Sequence, residues 1–291
     1  MAFRIGIDRR PMAQRAWLFK KISALCWVAI LSSSWALAAP QPAKSWSHQE
    51  WNQLLKENWK SAKLPYAKLK KNPALLDSYL KKASQFDPSL LKTRDEKLAF
   101  WINLYNACTL RIILDHYPLA AGNKVDQISV KSDQGEPTTI WQKSFCEVRG
   151  RTLTLDQIEK EILIGELKEP MVHFAINCGA LSCPDLRNEA YDGRRLKTQL
   201  AEQARKFLAD SSRNNFDQKK KVIQFSMIFG WYAEDFQNAA GGSLTRFLLP
   251  YVAKDLRQWI DKPDVQVDYI EYDWTLNDIE VFQGLNRNSA K

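Results

Sequence analysis

The spacing of hydrophobic residues predicts a helix-rich chain, and its clearest element is a long helix over about residues 93–115. At 100° per residue, one apolar wedge of about 100° holds five side chains of this stretch: Trp101, Leu104, Tyr105, Cys108 and Ile112. Such a wedge is typical of a helix that packs one face on a core. Glu96, Asn103 and Asn106 fall on the opposite side, so the pattern predicts a polar outer face there.

Shorter patterns predict the remaining elements. Capping signals and helical periodicity indicate further helices at 47–59, 73–80, 154–163, 196–208 and 244–260. Alternating or continuous apolar runs indicate a hairpin at 145–153 and strands at 171–176, 222–225 and 265–272. Together these elements predict one α+β domain, helix-rich around a small, mostly antiparallel sheet. We expect residues 39–87 to form a helical segment that packs on the main domain, residues 88–291.

The N-terminus has the pattern of an export signal. Six basic residues precede an apolar run from Ile22 to about Ala36, and Ala36-Leu37-Ala38 is a small-x-small cleavage signature. We therefore predict a signal peptide over residues 1–38 and a periplasmic or secreted mature protein. The run is shorter than the roughly 20 residues that span a bilayer, although an uncleaved N-terminal anchor is an alternative. No later apolar stretch reaches that length, so no membrane span is expected after cleavage.

Removing this leader changes the charge balance. The whole chain has 42 Lys and Arg against 33 Asp and Glu, and the leader holds six of the former and one of the latter. The remaining 36 basic and 32 acidic residues give a net charge near +4, which excludes the strongly basic footprint of a nucleic-acid-binding protein. The sequence has no glycine-rich phosphate loop, GxSxG elbow or HExxH motif, so no cofactor is predicted.

The chain after the leader contains four cysteines: Cys108, Cys146, Cys178 and Cys183. In an oxidising compartment, four cysteines allow two disulfides in three connectivities. Two of them lie in the stretch HFAINCGALSCP (173–184), where a Cys178–Cys183 disulfide would close a small loop. This disulfide, with His173 satisfied in the core, is the simpler interpretation of the stretch. Neither CxxC nor a paired Cys/His spacing occurs, so no structural zinc site is predicted.

A second interpretation of the same stretch is a thiol site with a base beside it. If residues 172–178 form a strand, His173 lies on one face and Cys178 on the other. Cys183 lies beyond the strand, in a loop that can fold back along either face. A Cys–His pair would therefore join His173 to Cys183 and supply the thiolate and general base of nucleophilic thiol catalysis. Metal binding with Asp185 as a third ligand is a further alternative.

Polar residues elsewhere offer candidate partners for such a site. Asn103 and Asn106 lie on the long helix, and Asp273 follows the last predicted strand. The chain runs from a helix to a strand with a histidine and then to a strand followed by an acidic residue. This order is similar to that of papain- and transglutaminase-like enzymes, an analogy at the level of the fold only. In those folds the nucleophilic cysteine begins the helix, and no cysteine occupies that place here. The plainer interpretation is a polar helix face.

Five blocks of the sequence occur in a characteristic order: FWINLYNA (100–107), LTLDQIEKEIL (153–163), HFAINCGALSCPDLRNEAY (173–191), FSMIFGWYAEDF (225–236) and YDWTLN (272–277). In combination they resemble the family called domain of unknown function 547, from about residue 88 to 280. The resemblance implies no defined activity, because the family has none assigned. Some plant relatives carry the domain beside a glutaredoxin-like domain, which hints at thiol chemistry. The family typically has an aliphatic residue where this chain has Cys108, which implies that Cys178 and Cys183 are better nucleophile candidates.

Two functions of different classes follow from these patterns. The first is an exported structural or binding domain held by a Cys178–Cys183 disulfide, with an envelope protein, a peptide or a glycan as its partner. The second is a thiol-dependent enzyme, either a hydrolase or transferase or a catalyst of thiol–disulfide chemistry. In the enzyme, Cys183 or Cys178 is the nucleophile and His173 is the base. The candidates for an orienting group are Asn103, Asn106 and Asp273.

Overall fold

The computed structural model describes residues 46–281. The predicted signal peptide, residues 1–38, and the start of the predicted 39–87 segment lie outside the described residues. Within 46–281, none of the helices combines the length and the apolar character that crossing a membrane requires.

The described chain begins with three helices, which lie within the predicted segment 39–87. They are α1 (Gln49–Asn58), α2 (Tyr66–Lys71) and α3 (Ala74–Gln85), and α1 and α3 pack against each other. Trp51 and Tyr79 are fully buried between these helices and the next one. A short 3-10 helix, Pro88–Leu90, then leads into the long helix of the domain.

The long helix α4 (Arg94–His116) confirms the predicted helix. A capping box starts it, because the Thr93 hydroxyl accepts the Glu96 N–H at 3.1 Å and the Glu96 carboxylate accepts the Thr93 N–H at 3.0 Å. The predicted polar outer face is wrong. Asn103 and Asn106 are 0% and 3% exposed, because α4 contributes to two core clusters and a long loop covers its polar side.

The described residues form three small sheets. Strands β1 (Ser129–Lys131) and β2 (Pro137–Thr139) form one antiparallel pair, and the short 3-10 helices Ala121–Asn123 and Val125–Gln127 precede it. Strands β3 (Cys146–Val148) and β4 (Arg151–Leu153) form the predicted hairpin. The third sheet has the order β5-β6-β7, and its strands are Asn215–Asp217, Val222–Ser226 and Gln266–Ile270. Strands β5 and β6 are antiparallel, whereas β6 and β7 are parallel.

The remaining helices complete an α+β fold, as predicted. A π-helix, Gln157–Glu166, follows the hairpin, and Thr154 and Gln157 cap its start reciprocally. Helix α5 (Leu196–Ala209) confirms the predicted amphipathic helix. After β6 come α6 (Met227–Trp231), α7 (Ala233–Ala239) and α8 (Leu244–Leu248). The predicted helix over 244–260 is too long, because α8 ends before Pro250 and turns follow.

The predicted strand at 171–176 is wrong. The segment Pro170–Phe174 is a 3-10 helix, with proline at its start and the Glu169 carboxylate accepting the Met171 N–H at 3.2 Å. A short, fully buried apolar run has the same hydrophobic pattern in a strand and in a helical turn. The argument that placed His173 and Cys178 on opposite strand faces therefore does not apply.

Candidate functional site

Two buried asparagines of α4 hold the loop that follows the 3-10 helix. Asn103 donates to the Tyr191 carbonyl at 2.8 Å and accepts the Tyr191 N–H at 2.9 Å. One helical turn later, Asn106 donates to the Ala175 carbonyl at 3.0 Å and accepts the Asn177 N–H at 2.8 Å. Each side-chain amide thus donates one hydrogen bond to the loop backbone and accepts one from it, as a neighbouring β-strand does. These residues, predicted as orienting groups, position the segment 175–191.

The same loop folds tightly between its two cysteines. The Asn177 side chain donates to the Pro184 carbonyl at 2.7 Å and accepts the Gly179 N–H at 2.8 Å. Gly179 has φ +89°, and a Cβ there would collide with the Ile113 side chain. Only glycine meets both demands without strain. The turn brings the residues on either side of it, Cys178 and Cys183, together.

Cys178 and Cys183 are free cysteines whose Sγ atoms lie 2.7 Å apart. The structure shows the pair as a dithiol, because a disulfide bond is about 2.05 Å long. The predicted Cys178–Cys183 disulfide, which is the oxidised form of the same pair, stays a prediction. The Cys183 sulfur accepts the Cys178 N–H at 2.9 Å, and the Tyr272 hydroxyl lies 3.3 Å from the Cys178 sulfur. The other two cysteines, Cys108 and Cys146, form a disulfide that ties α4 to β3.

The pKa values of the two thiols are shifted in opposite directions from the ordinary value of a cysteine. Burial raises the pKa of Cys178, but hydrogen bonds from Cys183, from Tyr272 and from the Ala180 backbone outweigh it, and the pKa lies below its ordinary value. Burial, together with the hydrogen bond to Cys178 and the charge on it, raises the pKa of Cys183 well above its ordinary value. Cys178 is also partly exposed, whereas Cys183 is buried. Of the two thiols, Cys178 therefore loses its proton more readily, and Cys183 lies within reach to donate a hydrogen bond to it.

His173 is held between two carboxylates. Its Nε2 lies 2.8 Å from Asp235 Oδ2, and its Nδ1 lies 3.8 Å from Glu159 Oε1. An ionised carboxylate only accepts, so Nε2 carries the hydrogen that Asp235 receives. The imidazole stacks on the Tyr232 ring at a centroid distance of 3.8 Å, and its side chain is only 1% exposed. This packing fixes the orientation of the His173 ring.

Glu159 comes from the π-helix and is almost completely buried. Tyr105 donates its hydroxyl to Glu159 Oε2 at 3.3 Å, whereas Glu159 Oε1 and His173 Nδ1 have no hydrogen-bond partner. Burial raises the pKa of Glu159, and the nearby His173 opposes this shift. A buried carboxyl with a raised pKa is a suitable proton acceptor near neutral pH.

A cavity of about 280 Å³ joins the thiols to this acid–base group. His173, Glu159, Cys178 and Cys183 all line it, and much of the remaining wall is aromatic: Tyr105, Trp141, Trp231, Tyr232, Tyr272 and Trp274. Asp273, the last predicted orienting residue, is not among the described residues that line the cavity. Its carboxylate instead accepts the Thr275 N–H at 2.9 Å.

Sequence reasoning missed Glu159 and Asp235 as partners of His173. Asp235 lies 62 positions from His173, and only the fold brings the two together. For Glu159 a signal was present, because it falls between Leu155 and Ile162 at helical spacing, on the apolar side of its helix. A carboxylate in that place is rarely fully buried unless it is paired.

A metal site has no support from this geometry. Among residues 46–281, no group of three or more His, Cys, Asp and Glu side chains is arranged to hold a metal ion. Asp185, the third ligand in the metal-binding alternative, is already paired with two basic side chains. It accepts from Arg213 at 2.8 Å and from Lys206 at 2.9 Å.

The fold and the site together define an α+β protein with a dithiol in an aromatic cavity beside a buried histidine and glutamate. Residues 88–208 match the family model described as "Protein of unknown function, DUF547", which supports the resemblance to that family. The matched part includes Asn103, Asn106 and the whole 173–184 stretch, whereas Asp235 and Tyr272 lie beyond it. No curated protein and no solved structure matches the chain. The papain-like analogy therefore stays a prediction.

Proposed function

We propose that this protein catalyses thiol–disulfide exchange, with Cys178 as the attacking thiol and Cys183 as the resolving thiol. The observation that carries the proposal is the 2.7 Å separation of two free sulfurs in a cavity. In thiol–disulfide exchange the thiolate is the attacking species, and a second nearby thiol releases the mixed disulfide. The lowered pKa of Cys178 and its partial exposure support its role as the attacking thiol.

The reaction has two steps. In the first, the Cys178 thiolate attacks one sulfur of a substrate disulfide, so that a Cys178–substrate bond forms and the substrate disulfide breaks. The leaving sulfur departs as a thiolate and takes up a proton. In the second, deprotonated Cys183 attacks the Cys178 sulfur, forms the Cys178–Cys183 disulfide and releases the other half of the substrate. Two protein thiols are oxidised, one substrate disulfide is reduced, and the reverse direction uses the same bonds.

The second step needs a base, because the pKa of Cys183 is raised by burial and by the neighbouring Cys178. Glu159 and His173 line the same cavity, and each has an acceptor atom without a partner. We assign proton uptake from Cys183 to this pair. Asp235 holds His173 in the tautomer that leaves Nδ1 free to accept.

We further propose that the protein acts in the periplasm or outside the cell. The basic and apolar N-terminal leader supports this location. The Cys108–Cys146 disulfide supports it independently, because such bonds persist in oxidising compartments. An oxidising compartment also contains disulfide-bearing polypeptides with which a dithiol can exchange.

The test is the reaction of the mildly reduced protein with an aryl disulfide that releases a coloured thiolate. We expect the wild type to release two coloured thiolates per chain in quick succession. Cys183→Ser should release one and retain the other half as a mixed disulfide, detected by its mass. Cys178→Ser should react at least about 100-fold more slowly. A Cys178→Ser variant as fast as the wild type, or a Cys183→Ser variant that still releases two, would overturn the proposal.

A second candidate is acyl transfer by Cys178 with His173 as base. The observation that favours it is the His173–Asp235 pair in the wall of the same cavity. Cys183→Ser separates the two functions, because acyl transfer needs one thiol and would survive this change. Turnover of a thioester substrate by Cys183→Ser at the wild-type rate would favour acyl transfer over exchange.

A further inference from the structure

Exposed hydrophobic side chains are concentrated beside the cavity. Among the described residues, only four large hydrophobic side chains are exposed: Leu90, Trp231, Val267 and Tyr269. The last three belong to α6 and β7. Val267 and Tyr269 lie two residues apart, so they share one face of β7. The Tyr269 ring packs over Gly230, the neighbour of Trp231 in the chain. These residues form one strip, which we call the β7 strip: Val267, Tyr269 and Trp231.

The β7 strip continues into the thiol cavity. Trp231 lines the cavity and contacts the Tyr272 ring at a centroid distance of 4.8 Å. Tyr272 follows β7 after one intervening residue, and its hydroxyl lies 3.3 Å from the Cys178 sulfur. A ligand lying along the strip would therefore have one end beside the attacking thiol. Contiguous exposed apolar surface of this kind marks an interaction site more often than scattered single residues do.

Strand β7 also offers backbone hydrogen-bonding groups. It is an edge strand, because the described sheet has the order β5-β6-β7 and β7 pairs only with β6. The Gln266 N–H donates to the Lys221 carbonyl, on the side of β6. The N–H and C=O of Val267 and Tyr269 therefore face the open side, since both backbone groups of a residue point to the same side of a strand. Asp268 accepts the Tyr269 N–H at 2.8 Å, which leaves Val267 with both groups available.

We propose that the β7 strip binds an extended segment of a partner polypeptide, which pairs with the open edge of β7 and presents a cysteine to Cys178. An extended backbone matches the unpaired edge, and apolar side chains at every second position match Val267 and Tyr269. The proposal rests on the proposed thiol–disulfide exchange for the role of the cysteine. Peptide binding itself does not depend on that chemistry.

The probe is a fluorescent peptide of alternating valine and threonine that ends in an S-methylated cysteine. It is titrated into the full chain carrying Cys178→Ser, so that no covalent bond forms, and binding is followed by anisotropy. A control peptide has N-methyl groups on alternate backbone amides, which removes strand pairing but keeps the side chains. We expect the control to bind at least about tenfold more weakly, because the backbone groups supply much of the affinity in strand addition.

Three protein variants locate the site. Val267→Pro removes the open-edge N–H while leaving the bonds of Gln266 and Asp268 to β6 in place, and proline is tolerated on edge strands. Tyr269→Ser removes apolar surface from the strip. Leu90→Ser is the matched control, since Leu90 is the exposed hydrophobic residue outside the strip. We expect Val267→Pro and Tyr269→Ser each to weaken binding by about tenfold, and Leu90→Ser to leave it unchanged. Circular dichroism confirms that each variant is folded.

The outcomes separate this inference from the proposed function. Equal binding of both peptides, or equal losses in Tyr269→Ser and Leu90→Ser, would overturn the β7 strip as a docking site. A dimer that disappears in Val267→Pro would show that a second copy of the chain occupies the edge, which also contradicts the proposal. If the peptide binds as expected but the aryl disulfide reaction fails, exchange is wrong and the binding site stands. If the aryl disulfide reacts and no peptide binds, only the docking inference fails.

Discussion

Residues 46–281 contain two close cysteine pairs, and their surroundings differ. Cys108 and Cys146 lie 38 positions apart on α4 and β3, are each 1% exposed, and form a disulfide among core side chains. Cys178 and Cys183 lie five positions apart in one loop, line a cavity and are free. The first pair joins two elements that are distant in sequence. The second joins nothing distant, and a bond between its members would close only a small loop.

The polar contacts of the sulfur atoms also differ between the two pairs. The Cys178 sulfur is contacted by a thiol and by a tyrosine hydroxyl, and these contacts lower the pKa of Cys178 against the effect of burial. Cys108 and Cys146 belong to a cluster of buried hydrophobic residues. Proximity of two sulfurs therefore does not define a function. The polar contacts of the sulfurs distinguish the two pairs and support the exchange proposed for the second.

The largest expected effects come from removing the disulfide of the first pair and the attacking thiol of the second. Replacing Cys108 and Cys146 together by alanine should lower the free energy of unfolding by about 3–4 kcal/mol, because the disulfide closes a loop of nearly forty residues. Exchange activity per folded molecule should stay near that of the wild type. Cys178→Ser should have the opposite profile, with activity lost and stability almost unchanged. Urea unfolding and the aryl disulfide assay on the same preparations measure both quantities. If the alanine variant lost exchange activity while fully folded, the proposed difference in role between the two pairs would be wrong.

A smaller effect is expected where α4 supports the reactive loop. Asn106→Ala leaves the Ala175 carbonyl and the Asn177 N–H without their partner in a buried place, which should cost about 2–4 kcal/mol of stability. Exchange should also slow, because the loop that sets the distance between the sulfurs loses an anchor. Asn58→Ala is a suitable control, since Asn58 is buried but bonds only within α1. If both variants lose stability but neither loses activity, Asn106 has no positioning role.

The smallest expected effect concerns the Tyr272 hydroxyl. Hydrogen bonds to the thiolate form hold the pKa of Cys178 below its ordinary value, so the thiolate persists as pH falls until that lowered pKa is passed. Tyr272→Phe should raise this pKa and move the acid limb of the rate–pH profile to higher pH. At neutral pH the first step should slow by about three- to tenfold, since a less acidic thiol is less ionised but more nucleophilic when ionised. An unchanged acid limb in Tyr272→Phe would show that Tyr272 does not stabilise the thiolate.

Much of the secondary structure could be predicted because its signals are local. The capping residues Thr93 and Glu96 begin α4, and Thr154 and Gln157 begin the π-helix, through bonds between residues three positions apart. The hairpin at 145–153 has its turn within the same nine residues. The family resemblance was also contained in local blocks, of which three lie in the matched part, residues 88–208.

The candidate site could be predicted only in part. His173, Cys178 and Cys183 were identified as candidates because three reactive residues in eleven positions are conspicuous in this chain. Their mutual geometry was not predictable, since a buried apolar run does not distinguish a strand from a 3-10 helix. Glu159 and Asp235 were missed as partners of His173, because nothing local pairs residues 14 or 62 positions away.

By itself, the sequence determined the helix-rich α+β class, the start of the long helix and the residues from which a thiol site can be built. These depend on periodicity and capping, which act over a few residues. The tertiary structure alone decided which cysteines are bonded, that Asn103 and Asn106 are buried supports, and that two carboxylates flank His173. Such features depend on which distant segments share one core, and each buried polar group finds its partner only after that core has formed.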